Sequence, residues 1–342
     1  MSRRLTCRVK YVYEDIMNYI VVDFEWNQSS YGRRVNPHIP FEIIEIGAVM
    51  LDEDLQEIDR YSATVRPKVY KKLHFMTRDL TGITQEELDR SDPFPYVLVD
   101  FMLWCGDDSV FCTWGGNDLV ELQRNMKFYH LEDLLEGPFE YYNLQKIFRE
   151  LCMPDQQAAA LETAVDFLHI EKNLPFHRAI HDADYTARVM QKMGAKKIQP
   201  LYSVDYYQNP KTVEDEIYIS YDKYAKYVSR EFDSHDAAMS DKEVRSTRCI
   251  KCGCSARKKI HWFSGKSKTH FCVAFCPEHG YILGKIRFKK PDDQRKCYVV
   301  KTLQFINEEE AAAIQNMKKE IVKKRWEKRH HQSAATRDKE DL

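Results

Sequence analysis

Eight residues near the start of the chain, Tyr19-Ile20-Val21-Val22-Asp23-Phe24-Glu25-Trp26, constrain its fold more than any other stretch. The apolar, β-branched run reads as a buried central strand, and two carboxylates, Asp23 and Glu25, stand inside it two residues apart. Side chains at i and i+2 of a strand share a face. The acids therefore lie side by side, where desolvation and mutual repulsion both oppose ionisation. Such a pair needs a cation. If the motif stood alone, a strand ending at Val22 with both acids in solvent would be the simpler reading.

Around that strand, residues 29–40 read as a loop, 41–51 as a second strand and 61–66 as a third that closes on Pro67. Strand, turn, strand, turn, strand predicts an antiparallel meander. Thr84 with Glu87 three residues on is the signature of a capping box. Further helices are expected over 96–105, 142–151, 161–168 and 182–193. A fourth strand, 109–113, runs into the turn Trp114-Gly115-Gly116-Asn117-Asp118, after which Leu119, Leu122 and Met126 share one helical face. Strands first, helices after and one more strand–helix unit predict an α/β domain over 18–198.

A chain of 342 residues, 43% of them apolar, has room for two domains. No stretch approaches the ~20 apolar residues of a membrane span and no basic-then-apolar leader opens it. A soluble, cytoplasmic protein with no membrane partner is expected. Four of the ten cysteines, Cys7, Cys105, Cys112 and Cys152, are scattered, whereas six crowd between Cys249 and Cys297. That distribution suits reduced thiols plus one metal site. The net charge of −1 conceals an asymmetry: residues 246–306 hold fourteen Lys/Arg against three acids, a net of +11, which leaves −12 on the rest. A basic smaller part joined to an acidic larger one points to a polyanion, with a merely solvated surface as the alternative.

Two more acids stand at expected helix starts, Asp118 after the Gly-Gly turn and Asp182 five residues after His177. Singly, each reads as a helix cap or first-turn acid. With Asp23 and Glu25 they supply four carboxylates, the oxygen donors that Mg²⁺ or Mn²⁺ prefer. Two such ions about 4 Å apart clamp the attacking and leaving oxygens of a phosphodiester. A histidine beside them, with an unperturbed pKa of about 6.5, suits a base for the attacking water.

Asp23-x-Glu25, the Trp114-Gly115-Gly116-Asn117-Asp118 turn and Phe176-His177-Arg178-Ala179-Ile180-His181-Asp182 resemble, in order and spacing, the three motifs of the DEDDh (DnaQ-like) 3′→5′ exonuclease family. Val65-Arg66-Pro67 and Leu80-Thr81-Gly82-Ile83-Thr84 resemble its strand-to-helix link, and the Trp-Gly-Gly-Asn-Asp turn looks most like the Eri-type RNA exonucleases and their KapD-like relatives. The resemblance covers about 18–198. It implies a ribonuclease H-like fold with a mixed five-stranded sheet. It also implies two-metal hydrolysis at nucleic-acid 3′ ends releasing nucleoside 5′-monophosphates, RNA slightly favoured over DNA. By position, it implies Asp23, Glu25 and Asp182 around an inner Mg²⁺ or Mn²⁺, Asp23 and Asp118 around an outer one, and His177 as general base. His181 lacks the five-residue offset from Asp182, and Arg178 occupies the position of the sister subclass's tyrosine. Trp26, Leu80 and Thr81 are implied near the terminal nucleotide, with packing the alternative for Trp26.

Cys249-Ile250-Lys251-Cys252-Gly253 and Cys276-Pro277-Glu278-His279-Gly280 are two turns of one design. Each aims two donors at a point, and together they complete a Cys₃His tetrahedron for one structural Zn²⁺. Cys254 and Cys272 are spare thiols. Short β-runs between basic turns make 246–306 a small zinc-ribbon-like domain, folded by its metal. Residues 199–245, with seven tyrosines between Tyr202 and Tyr227, read as a connector whose aromatics pack between domains. Residues 307–342 read as a basic helix, with Ile314, Met317 and Ile321 on its packed face, and a polar tail without structure after Ser333. The function expected is a metal-dependent 3′→5′ exonuclease whose ribbon grips nucleic acid. A DNA-directed exonuclease, a silent binding module and an adaptor whose ribbon meets a protein are the alternatives.

Overall fold

The computed structural model describes residues 18–30, 35–154, 158–221, 223–265, 269–291 and 295–340, with side chains of the last helix described as far as Glu327. The chain divides into two compact units, the first ending at Gln208 and the second running from Asn209.

The first unit is built on the meander β1 (Asn18–Gln28), β2 (Phe41–Leu51) and β3 (Glu57–Arg66). There follow α1 (Phe75–Thr81), α2 (Gln85–Arg90), β4 (Asp92–Pro93), α3 (Phe94–Cys105), β5 (Ser109–Thr113) and α4 (Asn117–Phe128). The unit closes with β6 (Phe139–Asn143), α5 (Leu144–Cys152), α6 (Leu161–Phe167), α7 (Ala179–Met193), α8 (Ala195–Ile198) and β7 (Ser203–Asp205). The sheet order is β4-β3-β2-β1-β5-β6-β7. β1 pairs antiparallel with β2 and parallel with β5, so the sheet is mixed. The expected five strands are its centre, and β4 and β7 each add a short strand to an edge.

Period-2 alternation along β1 explains the layers. Ile20, Val22 and Phe24 face a core shared with Phe94, Leu98 and Phe101 of α3 and Leu119 and Leu122 of α4. Tyr19 and Val21 face the other core, with Ile147 and Phe148 of α5, Val165 of α6 and Tyr185 and Met190 of α7. A strand covered on both faces must be apolar where it is covered, and β1 is from Tyr19 to Val22. Asp23 and Glu25 continue the Tyr19–Val21 row, so they emerge on the α7 side.

The second unit contains β8 (Ile217–Ser220), β9 (Tyr224–Val228), α9 (His235–Ser240), β10 (Arg257–Ser264), β11 (Thr269–Cys276), β12 (Gly280–Lys289), β13 (Tyr298–Ile306) and α10 (Glu308–Glu340). Its strands form one antiparallel sheet, ordered β10-β11-β12-β13-β9-β8. The stretch expected as a connector, 199–245, is divided instead. β7 joins the first sheet, and β8 and β9 cover what would be an open edge at β13. Tyr227 is buried in the second unit's core and Tyr221 stacks on Tyr224 at 4.4 Å, so these tyrosines pack within the unit. Half-buried Ile314, Met317 and Ile321 share one face of α10, and Ile314 packs on the core of Ile260, Val273 and Leu283. The tail expected to lack structure continues this helix to Glu340, its Ala334-Ala335 pair favouring helix. All nine cysteines among the described residues are free thiols. No described helix is long and apolar enough to cross a membrane.

Candidate active site

The acidic site is assembled by the register of β1 on β2. Asp23 lies opposite Gly47 and Glu25 opposite Glu45, and a bulge follows at Glu25/Trp26. Gly47 lets α7 sit on the sheet: a Cβ there would come within 2.0 Å of the Ile180 nitrogen and 2.2 Å of the Ala179 carbonyl carbon. Glu45, fully buried, fixes the start of that helix. One of its oxygens accepts from Arg178 Nε (2.9 Å) and Nη2 (2.5 Å), and the other from the Ala179 N–H (3.0 Å). Arg178 also reaches Glu87 of α2, at 3.3 Å.

Asp182 therefore descends from the first turn of α7 onto the two β1 acids. One carboxylate oxygen from each of Asp23, Glu25 and Asp182 lies within 4.8 Å of the others. Asp182 is not the helix opener that its sequence position suggested; α7 begins three residues earlier, at Ala179. Asp118, buried in the first turn of α4, stands outside this trio, but its charge raises the pKa of both Asp23 and Glu25. His177 is exposed immediately before α7, with a left-handed backbone (φ 67°), and its N–H donates to Asp182 Oδ2 at 3.1 Å. The His181 ring is engaged elsewhere, its Nδ1 2.9 Å from the Pro175 carbonyl oxygen.

The electrostatics of the cluster call for a cation. Burial, then Asp118, Asp182 and Glu25, hold the Asp23 carboxyl well above the usual carboxylate range. Burial and Asp182 push Glu25 to about 8. Burial and Glu121 push Asp118 to about 7, and burial raises Asp182. Asp182 Oδ1 is buried without a hydrogen-bond partner. Four acids that resist ionisation, and a buried oxygen with nothing to bond, fit hard divalent ions.

The exonuclease family model (RNase T) matches residues 20–190, half of the chain. The chain belongs to this family. Its exonuclease domain is of the DEDDh type, with the ribonuclease H-like architecture expected from the motifs. Human 3′-5′ exoribonuclease 1 is 41% identical over 165 residues, 46% of this chain and 47% of that protein. The probable 3′-5′ exonuclease KapD of Bacillus subtilis (strain 168) is 28% identical over 131 residues, 37% of this chain and 61% of that protein. The crystallographic structure of the nuclease domain of 3′hExo, a DEDDh family member bound to rAMP, is similar with a TM-score of 0.46 at 25% identity, covering 52% of this chain and 92% of that one. The chain spans about half the length of the human relative.

The three residues expected near a terminal nucleotide differ in environment. Leu80 is 56% exposed on α1. Thr81 is buried, and its hydroxyl donates to the Thr77 carbonyl oxygen (2.8 Å) and accepts from the Ile83 N–H (3.1 Å), so it fastens the end of α1. Trp26 packs against Phe41 with ring centroids 5.9 Å apart. The link from β3 to α1 is held by residues that periodicity could not single out. Buried Glu42 accepts from the N–H groups of Lys68, Val69 and Tyr70, and its cross-strand partner Asn27 bonds the Tyr70 and Lys72 carbonyls and the His74 N–H.

In the second unit, donor atoms of Cys249, Cys252, Cys276 and His279 also converge within 4.8 Å of one another. Cys252 and Cys276 Sγ are 3.7 Å apart, and His279 Nδ1 lies 3.5 Å from Cys249 Sγ and 3.7 Å from Cys276 Sγ. Zinc–sulfur bonds of about 2.3 Å give a tetrahedral edge near this length, so the donor set fits zinc. The two spare thiols stand apart: Cys254 is exposed and Cys272 is buried against Gly284.

Proposed function

We propose that this protein is a metal-dependent 3′→5′ exonuclease that releases nucleoside 5′-monophosphates from nucleic-acid 3′ ends, with RNA preferred. The observation that carries the reading is the convergence of Asp23, Glu25 and Asp182, with Asp182 Oδ1 left unpaired. These three residues would hold one Mg²⁺ or Mn²⁺, and Asp23 with Asp118 would help to hold a second. When bound, the ions supply charge for the attacking and leaving oxygens of the phosphodiester. His177, in the solvent-exposed turn ahead of α7, takes the proton of the attacking water, and the Asp182 carboxylate steadies its backbone. Leu80 and Trp26 flank the terminal nucleotide. One structural Zn²⁺ would be held by Cys249, Cys252, Cys276 and His279 and would organise the second unit, whose basic surface grips nucleic acid.

The preference for RNA rests on the similarity to an exoribonuclease and on the Trp-Gly-Gly-Asn-Asp turn. The reading is tested by incubating the protein with 3′-labelled RNA and DNA of equal sequence in Mg²⁺ or Mn²⁺ and identifying the released product. Nucleoside 5′-monophosphates, released faster from RNA, are expected. Nucleoside 3′-monophosphates would overturn the reaction, and faster release from DNA would overturn the substrate.

A further inference from the structure

The second unit has an open depression of about 660 Å³ between the segment after α9 and the start of β10. Its lining includes Asp241, Lys242 and Arg245 from the segment after α9, and Arg257, Lys258 and His261 from β10. Among the described residues none of these four Lys and Arg side chains forms an ion pair. The neighbouring acids are already engaged. Asp241 accepts from Arg230 Nη2 (3.1 Å) and from the N–H groups of Glu243 (2.8 Å) and Val244 (3.0 Å). Glu243 accepts from the Ser246 hydroxyl at 2.9 Å and faces Arg248 at 3.6 Å. Asp241 itself lines the depression, but its charge is met by Arg230 and two N–H groups, so the four cations are the charges left there without an opposite partner.

The groove is also built to keep its shape. Lys301, 1% exposed, donates from beneath to the Glu243 carbonyl, the Ser246 carbonyl (3.3 Å) and the Ser246 hydroxyl (2.9 Å), which fastens the turn carrying Arg245 to β13. The floor is a hairpin closed by the bonds Ala256 N–H to Thr247 O and Cys249 N–H to Cys254 O, both 2.8 Å. The tip of that hairpin carries Cys249 and Cys252, so the zinc knuckle and the groove floor are one element. Such a volume exceeds what one phosphate fills and suits a run of nucleotides, and fixed cations from both segments suit successive phosphates.

We propose that this groove, through Lys242, Arg245, Arg257 and Lys258, is the phosphate track of the second unit and holds the single-stranded backbone of the nucleic acid. The proposal rests on the reading that the second unit meets nucleic acid, and names where. The test is binding of a labelled single-stranded RNA to the full chain across a range of salt, in wild type, in Arg245→Ala/Arg257→Ala and in the control Lys289→Ala/Lys290→Ala, which removes the same charge from the exposed end of β12. Each variant is first checked for an unchanged melting temperature. The groove variant is expected to bind more weakly and to lose about 1.4 from the slope of log affinity against log salt, at about 0.7 per phosphate contact on a single strand. The control keeps the wild-type slope. A steep wild-type slope that the groove variant retains, or that the control loses equally, overturns the groove and leaves the grip elsewhere on the unit. A wild-type affinity that does not respond to salt overturns the underlying reading, since phosphate contacts release counterions.

Discussion

The backbone of Ile180 crosses Gly47 so closely that a Cβ on Gly47 would lie 2.0 Å from the Ile180 nitrogen. Because Gly47 is the cross-strand partner of Asp23, the contact that seats α7 also fixes the height of Asp182 above Asp23. The neighbour must yield, and it is backbone. Gly47→Ala is therefore expected to cost roughly 1–3 kcal/mol of stability and to reduce hydrolysis beyond what unfolding explains. Urea titration alongside the rate of the folded fraction checks this; a variant with normal rate would mean that α7 has another way to set Asp182.

The start of α7 has a second anchor, the ion pair of buried Glu45 with partly exposed Arg178. Removing one partner of such a pair strands a charge, so Arg178→Ala is expected to destabilise by roughly 3–5 kcal/mol. Adding Glu45→Gln to it removes the stranded carboxylate and should recover part of the loss. Additive effects in this double-mutant cycle would show that the two side chains do not act as a unit.

Much of this site was legible because chemistry and periodicity coincided. β2 and β5 have the predicted bounds, their apolar runs being cut off by polar turns. Asp23, Glu25, Asp118, His177 and Asp182 stood out only together, through the resemblance of their three motifs to the DEDDh family, since each acid alone reads as a helix cap or a solvated residue. Glu45 and Glu42 did not, because an acid inside a strand reads as the solvent face until the layer covering it is known. Short elements escaped for a different reason: α1 has only seven residues, and β6, as short as β5, is Phe-Glu-Tyr-Tyr-Asn, without the continuous apolar run that marks β5. β8 and β9 were hidden by their shortness and by exposed Tyr218 and Ser220 and half-buried Tyr224 and Lys226 between their buried residues, which lowered the apolar signal.

The carboxylates make the metal-free protein sensitive to pH. Glu25 titrates at about 8 in the fold against 4.5 ordinarily. Between those values the folded state keeps a proton that the unfolded chain has released, so stability falls as pH rises across that window. Urea midpoints in EDTA are expected to drop from pH 5 to pH 8, and Mn²⁺ should remove the drop by compensating the ionised acids. Midpoints that rise with pH in EDTA would mean the acids are stabilised by something other than a cation.

The two histidines of the third motif separate by role. His177→Ala should lower the maximal rate roughly 10²–10⁴-fold, the usual worth of a general base, with little change in substrate affinity. His181→Ala, whose ring faces the Pro175 carbonyl, should do far less. The reverse order in a saturation-kinetics comparison would move the base to His181.

The central claim is that Asp182, with Asp23 and Glu25, holds divalent ions for hydrolysis at a 3′ end. It is tested most directly by following 5′-labelled RNA on a sequencing gel with wild type and Asp182→Asn, in Mg²⁺ and in EDTA, with RNA binding measured in parallel. A ladder shortening one nucleotide at a time from the 3′ end is expected with wild type and Mg²⁺. No cleavage is expected in EDTA or by Asp182→Asn, although that variant remains folded and still binds RNA. Near-normal shortening by Asp182→Asn, or shortening that persists in EDTA, would contradict the claim.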